Sequence, residues 1–228
     1  MYCFKISGER NSGTQFMHQL IKTNFGNTFE EGSIKFDSKD YIWKHGDPNN
    51  NMQENKTFIK IFVVRKLESW LVSMFHNHYH LNNFNNFKKF LTTPFKEDDV
   101  EKRKEFCIYG NIPVNFEDID KTIFQVRYYK YLKIKEYCEQ NENIILVSLE
   151  YLQNDDNCIH FLKEINHKYN FNKKEDNFKL IEKHTKNGNM NLKNRTYKIN
   201  HEDYQLEIDN NKNIEIENEI NNLTYFIK

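Results

Sequence analysis

The chain has 228 residues, with 33 Lys and Arg against 33 Asp and Glu and a formal net charge of +0. That length suits one α/β domain with a substantial core, and the charge balance excludes a global field drawing the protein to nucleic acid or an anionic membrane, so any bound anion must be held locally. Aromatic residues at 15% support a folded core despite a mean hydropathy of -0.88, which comes largely from short asparagine-rich runs such as DPNNNMQENK.

Residues 2–7 (YCFKIS) alternate and are β-prone, predicting a first strand. It enters SGERNSGT (7–14), after which TQFMHQLIKTNF sets Phe16, Met17, Leu20 and Ile21 on one helical face. Strand, glycine loop and helix open a βαβ unit. DYIWKHG (40–46) predicts a short strand running into a turn, and TFIKIFVVR (57–65) a central strand of a parallel sheet covered on both faces. LESWLVSMFHNHY predicts a helix aligning Leu67, Trp70, Leu71 and Met74, and NNFNNFKKFL a short one using Phe84, Phe87, Phe90 and Leu91. From 92 to about 116 no period is visible and two of the three prolines occur, predicting an irregular excursion over a site. DKTIFQVRYYKYLKIKEYCEQ predicts a helix with Ile123, Val126, Ile134 and Tyr137 on one side, together with Tyr129 or Lys130. NIILVSLEYL (143–152) predicts a second buried strand and NCIHFLKEINHKYN another helix. Residues 171–228 are polar and hard to read, and NIEIENEINNLTYFIK fits either a helix or an edge strand. With no repeat or linker, the expectation is a single α/β domain over 1–228 whose mainly parallel sheet is flanked by helices.

The four cysteines, Cys3, Cys107, Cys138 and Cys158, form no C-x-x-C pair and read as free buried thiols in a reducing compartment. No apolar stretch approaches the ~20 residues of a membrane span, and MYCFKISGER lacks the apolar core of a signal peptide. A soluble cytoplasmic protein with no membrane or nucleic-acid partner is expected; the oligomeric state is not legible.

Gly8 and Gly13 frame a phosphate-cradling loop, G-x-x-x-x-G-K-[ST], with Thr14 where the lysine belongs. That lysine neutralises β- and γ-phosphates, so the loop is tuned away from ATP with Mg²⁺. Backbone N–H groups and the helix N-terminus still suit a phosphate. Ser12 and Thr14 add hydroxyls and Arg10 a cation; the plainer alternative is a glycine turn without a ligand. A second constellation is VVRKLESWLVSMFH. Arg65 ends the most apolar strand, where ligand sites of open parallel sheets lie, and its planar fork suits a phosphate. Ser73 lies eight residues on, within the next helix. Taken alone, an arginine paired with a carboxylate such as Glu68 explains this stretch as well.

Together the two stretches resemble the cytosolic and bacterial sulfotransferases that use 3′-phosphoadenylyl sulfate (PAPS), and most closely the bacterial and giant-virus members with a GERNSGT loop. RNSGTQ (10–15) occupies the slot of the family loop P-[KR]-S-G-T-T, which binds the 5′-phosphosulfate. RKLESWLVSMFHNH (65–78) is similar to R-[ND]-P-x-[DE]-x-x-x-S-x-[YFW]-x-H, which binds the 3′-phosphate, in its Arg-to-Ser interval, a carboxylate (Glu68) and an aromatic (Phe75). SLEYLQND (148–155) is similar to the strand-ending Y-E-D-L-x-x-D. The resemblance covers residues 4–165. It implies a three-layer P-loop NTPase-like fold and transfer of a sulfuryl group from PAPS to a glycan or small-molecule acceptor, releasing adenosine 3′,5′-bisphosphate. It also implies that Gly8, Arg10, Asn11, Ser12, Gly13 and Thr14 bind the phosphosulfate and that Arg65 and Ser73 bind the 3′-phosphate. Asn11 stands where the family has Lys or Arg, so Arg10 would have to reach the bridging oxygen; Lys66-Leu67 replace Asn-Pro. The family's C-terminal R-K-G element has no clear counterpart, with Lys186, Lys193 and Arg195 as candidates.

Members of that family carry a histidine, often just after a lysine, between the two phosphate motifs. WKHGDP places Lys44 and His45 there. A histidine with an unperturbed pKa of ~6.5 is largely neutral near neutral pH and suits a general base. His45 is the expected base, with Lys44 and Arg10 as electrostatic help at the sulfuryl group. His76, His78 and His80 hint at a metal site, but on a helix residues two apart diverge, and none is expected. Trp70 reads as core; Arg127 reads as helix-face packing, with reach toward the 3′-phosphate as the alternative. The rival functions are a P-loop small-molecule kinase, which needs the missing lysine and a strand-end carboxylate, and a non-catalytic nucleotide-binding protein.

Overall fold

In the computed structural model, which describes residues 2–9, 11–26, 57–76, 86–93, 122–181 and 211–228, one open sheet organises the chain. Among the described residues its order is β1 (Tyr2–Gly8), β2 (Thr57–Val64), β3 (Ile144–Ser148) and β4 (Tyr225–Ile227). β1 and β2 run parallel, from Tyr2 opposite Thr57 to Gly8 opposite Val63, and β2 and β3 run parallel from Lys60 opposite Ile144 to Val64 opposite Ser148. β4 closes the sheet antiparallel, with Tyr225 opposite Val147. The α/β class and the mainly parallel sheet are as the sequence predicts.

Side chains alternate across a strand, and the sheet uses both faces. Ile59, Ile61 and Val63 of β2 join Phe4, Ile6, Ile145 and Val147 on one face. There they pack on α1 (Thr14–Phe25) through Met17, Leu20, Ile21 and Phe25, and on a helix at Asp155–Tyr169 through Cys158, Phe161, Leu162 and Ile165. On the opposite face Phe62, Val64, Ile144 and Leu146 meet α2 (Leu67–His76), α3 (Phe87–Thr92), α4 (Ile123–Gln140) and a helix at Asn211–Asn222. α4 begins with a capping box, in which the Thr122 hydroxyl accepts from the Gln125 N–H and the Gln125 side chain accepts from the Thr122 N–H. Trp70 lies in this second core, as expected.

One expectation is corrected and one left open is resolved. The strand expected over 143–152 stops at Ser148, and Leu149–Leu152 form a single helical turn, α5, before α6 (Asp155–Tyr169). The turn is held by Glu150, whose carboxylate accepts from the Lys66 N–H at 3.1 Å and from the Ser69 and Ser148 hydroxyls. The tail, open between helix and strand, is both. α7 (Asn211–Asn222) buries Ile216 and Ile220, one turn apart, and β4 then joins the sheet. The strand expected at 40–46, the excursion from 94 and Phe84 lie outside the described residues. Among the described residues no helix is long and apolar enough to cross a membrane.

Ile61, fully buried on the central strand, should lose ~2–5 kcal/mol of stability on replacement by alanine, whereas Leu132→Ala, at a position 50% exposed, should stay within ~0.5 kcal/mol; urea denaturation reads both. Cys138 is free and buried, and burial, helped by Glu139, pushes its thiol up to about 12. The thiol should therefore resist alkylation at pH 8 until the chain unfolds. A folded pKa above the unfolded value of ~8.5 means that this contribution to stability is complete below about pH 8 and is lost as pH rises toward 12.

Candidate anion site

The loop between β1 and α1 lies at the carboxyl end of the sheet, beside the end of β2. The Ser12 N–H and hydroxyl both donate to the Glu9 carbonyl, at 3.2 and 2.8 Å, closing a turn with Asn11 at φ 58. Gly13 follows at φ 97, in the left-handed region, and caps α1 through its carbonyl alone, accepting from the Met17 N–H at 3.0 Å. No side chain caps this end, so the first-turn amides lack the partner that Ser, Thr, Asp or Asn usually supplies. Gly8 is required by space rather than by φ. A Cβ there would come 2.4 Å from the Val63 carbonyl and 2.6 Å from the Ser12 hydroxyl.

Arg65, the first residue beyond β2, leans toward this loop. Its Nη1 donates to the Asn11 carbonyl at 3.1 Å, and its Nε donates to the Ser69 hydroxyl at 3.0 Å and lies 3.7 Å from Glu150 Oε1. Among the described residues nothing accepts from Nη2. The side chain is 18% exposed; burial pulls the guanidinium below its ordinary pKa, and Glu150 opposes that shift. The Asn11 amide reaches the other way, donating to the Ser73 carbonyl at 3.4 Å and contacting the Met74 sulfur at 3.1 Å. The two motif stretches are thus joined directly. Ser69 holds the acidic position of the sequence pattern quoted for this stretch, one residue past Glu68, and the carboxylate beside the arginine comes instead from Glu150 at the end of β3.

Arg127 is fully buried beneath the loop. It donates to Glu9 at 2.7 Å, to both oxygens of Glu217 at 2.7 and 3.2 Å and to the Arg65 carbonyl at 2.8 Å, and it stacks on Trp70 at 4.8 Å. Burial alone would lower its pKa, but Glu9 and Glu217 more than offset this and hold it above the ordinary arginine value. The same burial, with Glu217 close by, raises the Tyr128 phenol. Arg127 is therefore packed inside the fold, in line with the packing reading, and its donors are taken by Glu9, Glu217 and the Arg65 carbonyl. Its partners are not legible from local pattern, because Glu9 and Glu217 lie far from it and from each other in sequence.

Of the residues expected at the site, Gly8, Asn11, Ser12, Gly13, Thr14, Arg65 and Ser73 fall together at the ends of β1 and β2; Ser73 meets the loop through its carbonyl. Arg10, Lys44 and His45 lie outside the described residues, as do His78, His80, Lys186, Lys193 and Arg195. Among the described residues no group of three or more His, Cys, Asp or Glu is placed to hold a metal ion. Comparison with protein-family models, with curated proteins and with solved structures finds no match to this chain.

Gly8→Ala should cost ~1–3 kcal/mol, because the clashing Val63 oxygen is backbone and cannot rotate away. Gly26→Ala, where a Cβ meets nothing within 4 Å, should instead be neutral or stabilising by up to ~1 kcal/mol. Chemical denaturation of the two variants side by side measures the difference.

Proposed function

We propose that this chain is a sulfotransferase that moves a sulfuryl group from PAPS to a hydroxyl or amine of a glycan or small-molecule acceptor, on a three-layer fold of the P-loop NTPase kind. The observation that carries the reading is the hydrogen-bonded union of the loop with the Arg65 stretch. Arg65 Nη1 meets the Asn11 carbonyl, and the Asn11 amide meets the Ser73 carbonyl. Two elements suited to anions then sit side by side at the carboxyl ends of adjacent parallel strands, where open α/β sheets bind their ligands. The residues fit a doubly phosphorylated nucleotide. Among the described residues no side chain caps the α1 amides, Gly8 lets the loop base approach the end of β2 closely, and nothing accepts from the outer edge of Arg65.

In this mechanism the Gly8–Thr14 loop, including Ser12, binds the 5′-phosphosulfate through backbone N–H groups and hydroxyls. Arg65, with Ser73, holds the 3′-phosphate. PAPS supplies the sulfuryl group. His45 takes the proton from the acceptor hydroxyl as its oxygen bonds to sulfur and the sulfur–phosphate oxygen bond breaks. Lys44 and Arg10 offset charge on the sulfuryl oxygens and on the departing adenosine 3′,5′-bisphosphate. The kinase reading is disfavoured because Thr14 replaces the lysine after the second glycine and Arg65 stands where a strand-end carboxylate would hold Mg²⁺.

Adenosine 3′,5′-bisphosphate at a hundred times its Kd should stabilise the protein by ~2.7 kcal/mol, roughly 5–10 °C in Tm for a domain of this size. Stabilisation by ATP–Mg²⁺ in its place would indicate a kinase, and a response to neither ligand would remove both readings. Arg65→Ala should weaken adenosine 3′,5′-bisphosphate by roughly 10–100-fold while leaving 5′-AMP, which lacks the 3′-phosphate, nearly unaffected. His45→Ala should lower turnover by ~10²–10⁴-fold without loss of nucleotide binding; turnover at the wild-type rate would take the base role from His45.

A further inference from the structure

We infer that Arg127 and Glu217 are positioning residues for the anion site: a buried guanidinium clamped by the C-terminal helix sets the placement of the loop relative to Arg65. The inference rests on the proposed function for its ligand, but not for its geometry.

Beneath the direct contacts of Arg65 and Asn11, a single guanidinium adds a second, buried connection. Nη1 holds the Glu9 carboxylate at 2.7 Å, and Glu9 is the residue whose carbonyl anchors the loop turn through Ser12. Nη2 holds the Arg65 carbonyl at 2.8 Å, at the point where β2 hands over to α2. Loop base and Arg65 backbone are thereby tied to opposite ends of one rigid planar group. That group is oriented from behind by Glu217, which accepts from Nε at 2.7 Å and Nη2 at 3.2 Å, and from one side by the face of Trp70. Glu217 is 4% exposed and Glu9 2%. These charges are shut away from solvent, where salt screens little and a misaligned partner is costly. None of the three side chains has a place among the ligand contacts of the proposed site. They act through Asn11, Ser12 and Arg65.

The arrangement predicts an effect at long range. α7 is otherwise held by Ile216 and Ile220 in the apolar core, so Glu217 can be changed without removing the helix's hydrophobic anchor. In Glu217→Ala the guanidinium keeps Glu9 as a counter-charge but loses the group that fixes its plane. Arg127→Lys keeps the charge and loses the fork. Ile220→Val is the control, because it removes packing on the same helix without touching Arg127.

The test is amide hydrogen exchange on the full-length protein without ligand, together with calorimetric titration of adenosine 3′,5′-bisphosphate. In Glu217→Ala and Arg127→Lys, exchange over 8–14 and 65–69 should accelerate by about tenfold while β3 keeps its wild-type protection. Affinity should fall by about tenfold, and Ile220→Val should show neither effect. Acceleration spread evenly through the sheet, an equal loop effect in Ile220→Val, or an unchanged loop would each overturn the inference. If Arg127→Lys does not fold, Glu217→Ala decides alone. A wild-type protein that does not bind adenosine 3′,5′-bisphosphate would sink the proposed function instead, and the exchange pattern would still decide the positioning role.

Discussion

A guanidinium in a dry core must have its charge matched and its donors met where it lies, and Arg127 meets that demand by drawing three distant parts of the chain to one point. Glu9 comes from the end of β1, the Arg65 carbonyl from the end of β2 and Glu217 from α7. The hydrophobic cores on the two sheet faces determine that these elements pack; they do not determine how far the loop stands from Arg65, because apolar packing is not directional. The buried ion cluster is directional. Two carboxylates against one guanidinium are also more polar than stability alone calls for, since well-packed apolar replacements of such clusters often match or exceed them in stability. A network of this kind fixes one arrangement among several that the core would tolerate.

Arg127 and Arg65 divide two tasks that one arginine cannot perform together. Arg127 is saturated, with every contact inside the protein. Arg65 is tethered along its Nε edge by Ser69 and Glu150 and at Nη1 by the Asn11 carbonyl, while no described residue accepts from Nη2. An arginine held on one edge loses little side-chain freedom when an anion binds the other. Glu150 has a second consequence. It stands beside the guanidinium, and under the proposed function a phosphate would share Arg65 with it. At 3.7 Å and partial exposure this pair is worth little by itself, so its main effect is orientation.

Much of the fold could be read from local pattern. The alternation in YCFKIS, the uninterrupted TFIKIFVV and the apolar faces of α1, α2, α4 and α6 each predicted their element, since periodicity is a local property. The proximity of the two motif stretches also followed from local rules, because the loops after parallel strands share one end of a sheet. What escaped was non-local. The turn after Ser148 is held by Glu150 against Lys66 and Ser69, a contact across more than eighty residues that no window of sequence contains. The polar tail NIEIENEINN looked uninformative because its decisive residue, Glu217, is charged, and charge on a helix ordinarily means a solvated face. Arg127 reads as packing, but its partners stay hidden because Glu9 and Glu217 lie far from it in sequence. Only the fold shows that these charges point inward toward one another.

The site is therefore a property of the closed chain and not of the SGERNSGT segment. The glycines give the loop its turn and its close approach to β2, but a glycine loop is compatible with many anions and with none. Its geometry becomes defined when Glu9 is pinned by Arg127, and Arg127 is itself oriented only after α7 has docked and β4 has paired with β3. Contacts between segments so distant in sequence carry a large loop-closure entropy, and Arg127 gathers three of them at one point. Through Glu217 the tail thereby bears on the relation between the loop and Arg65, on which the proposed chemistry depends.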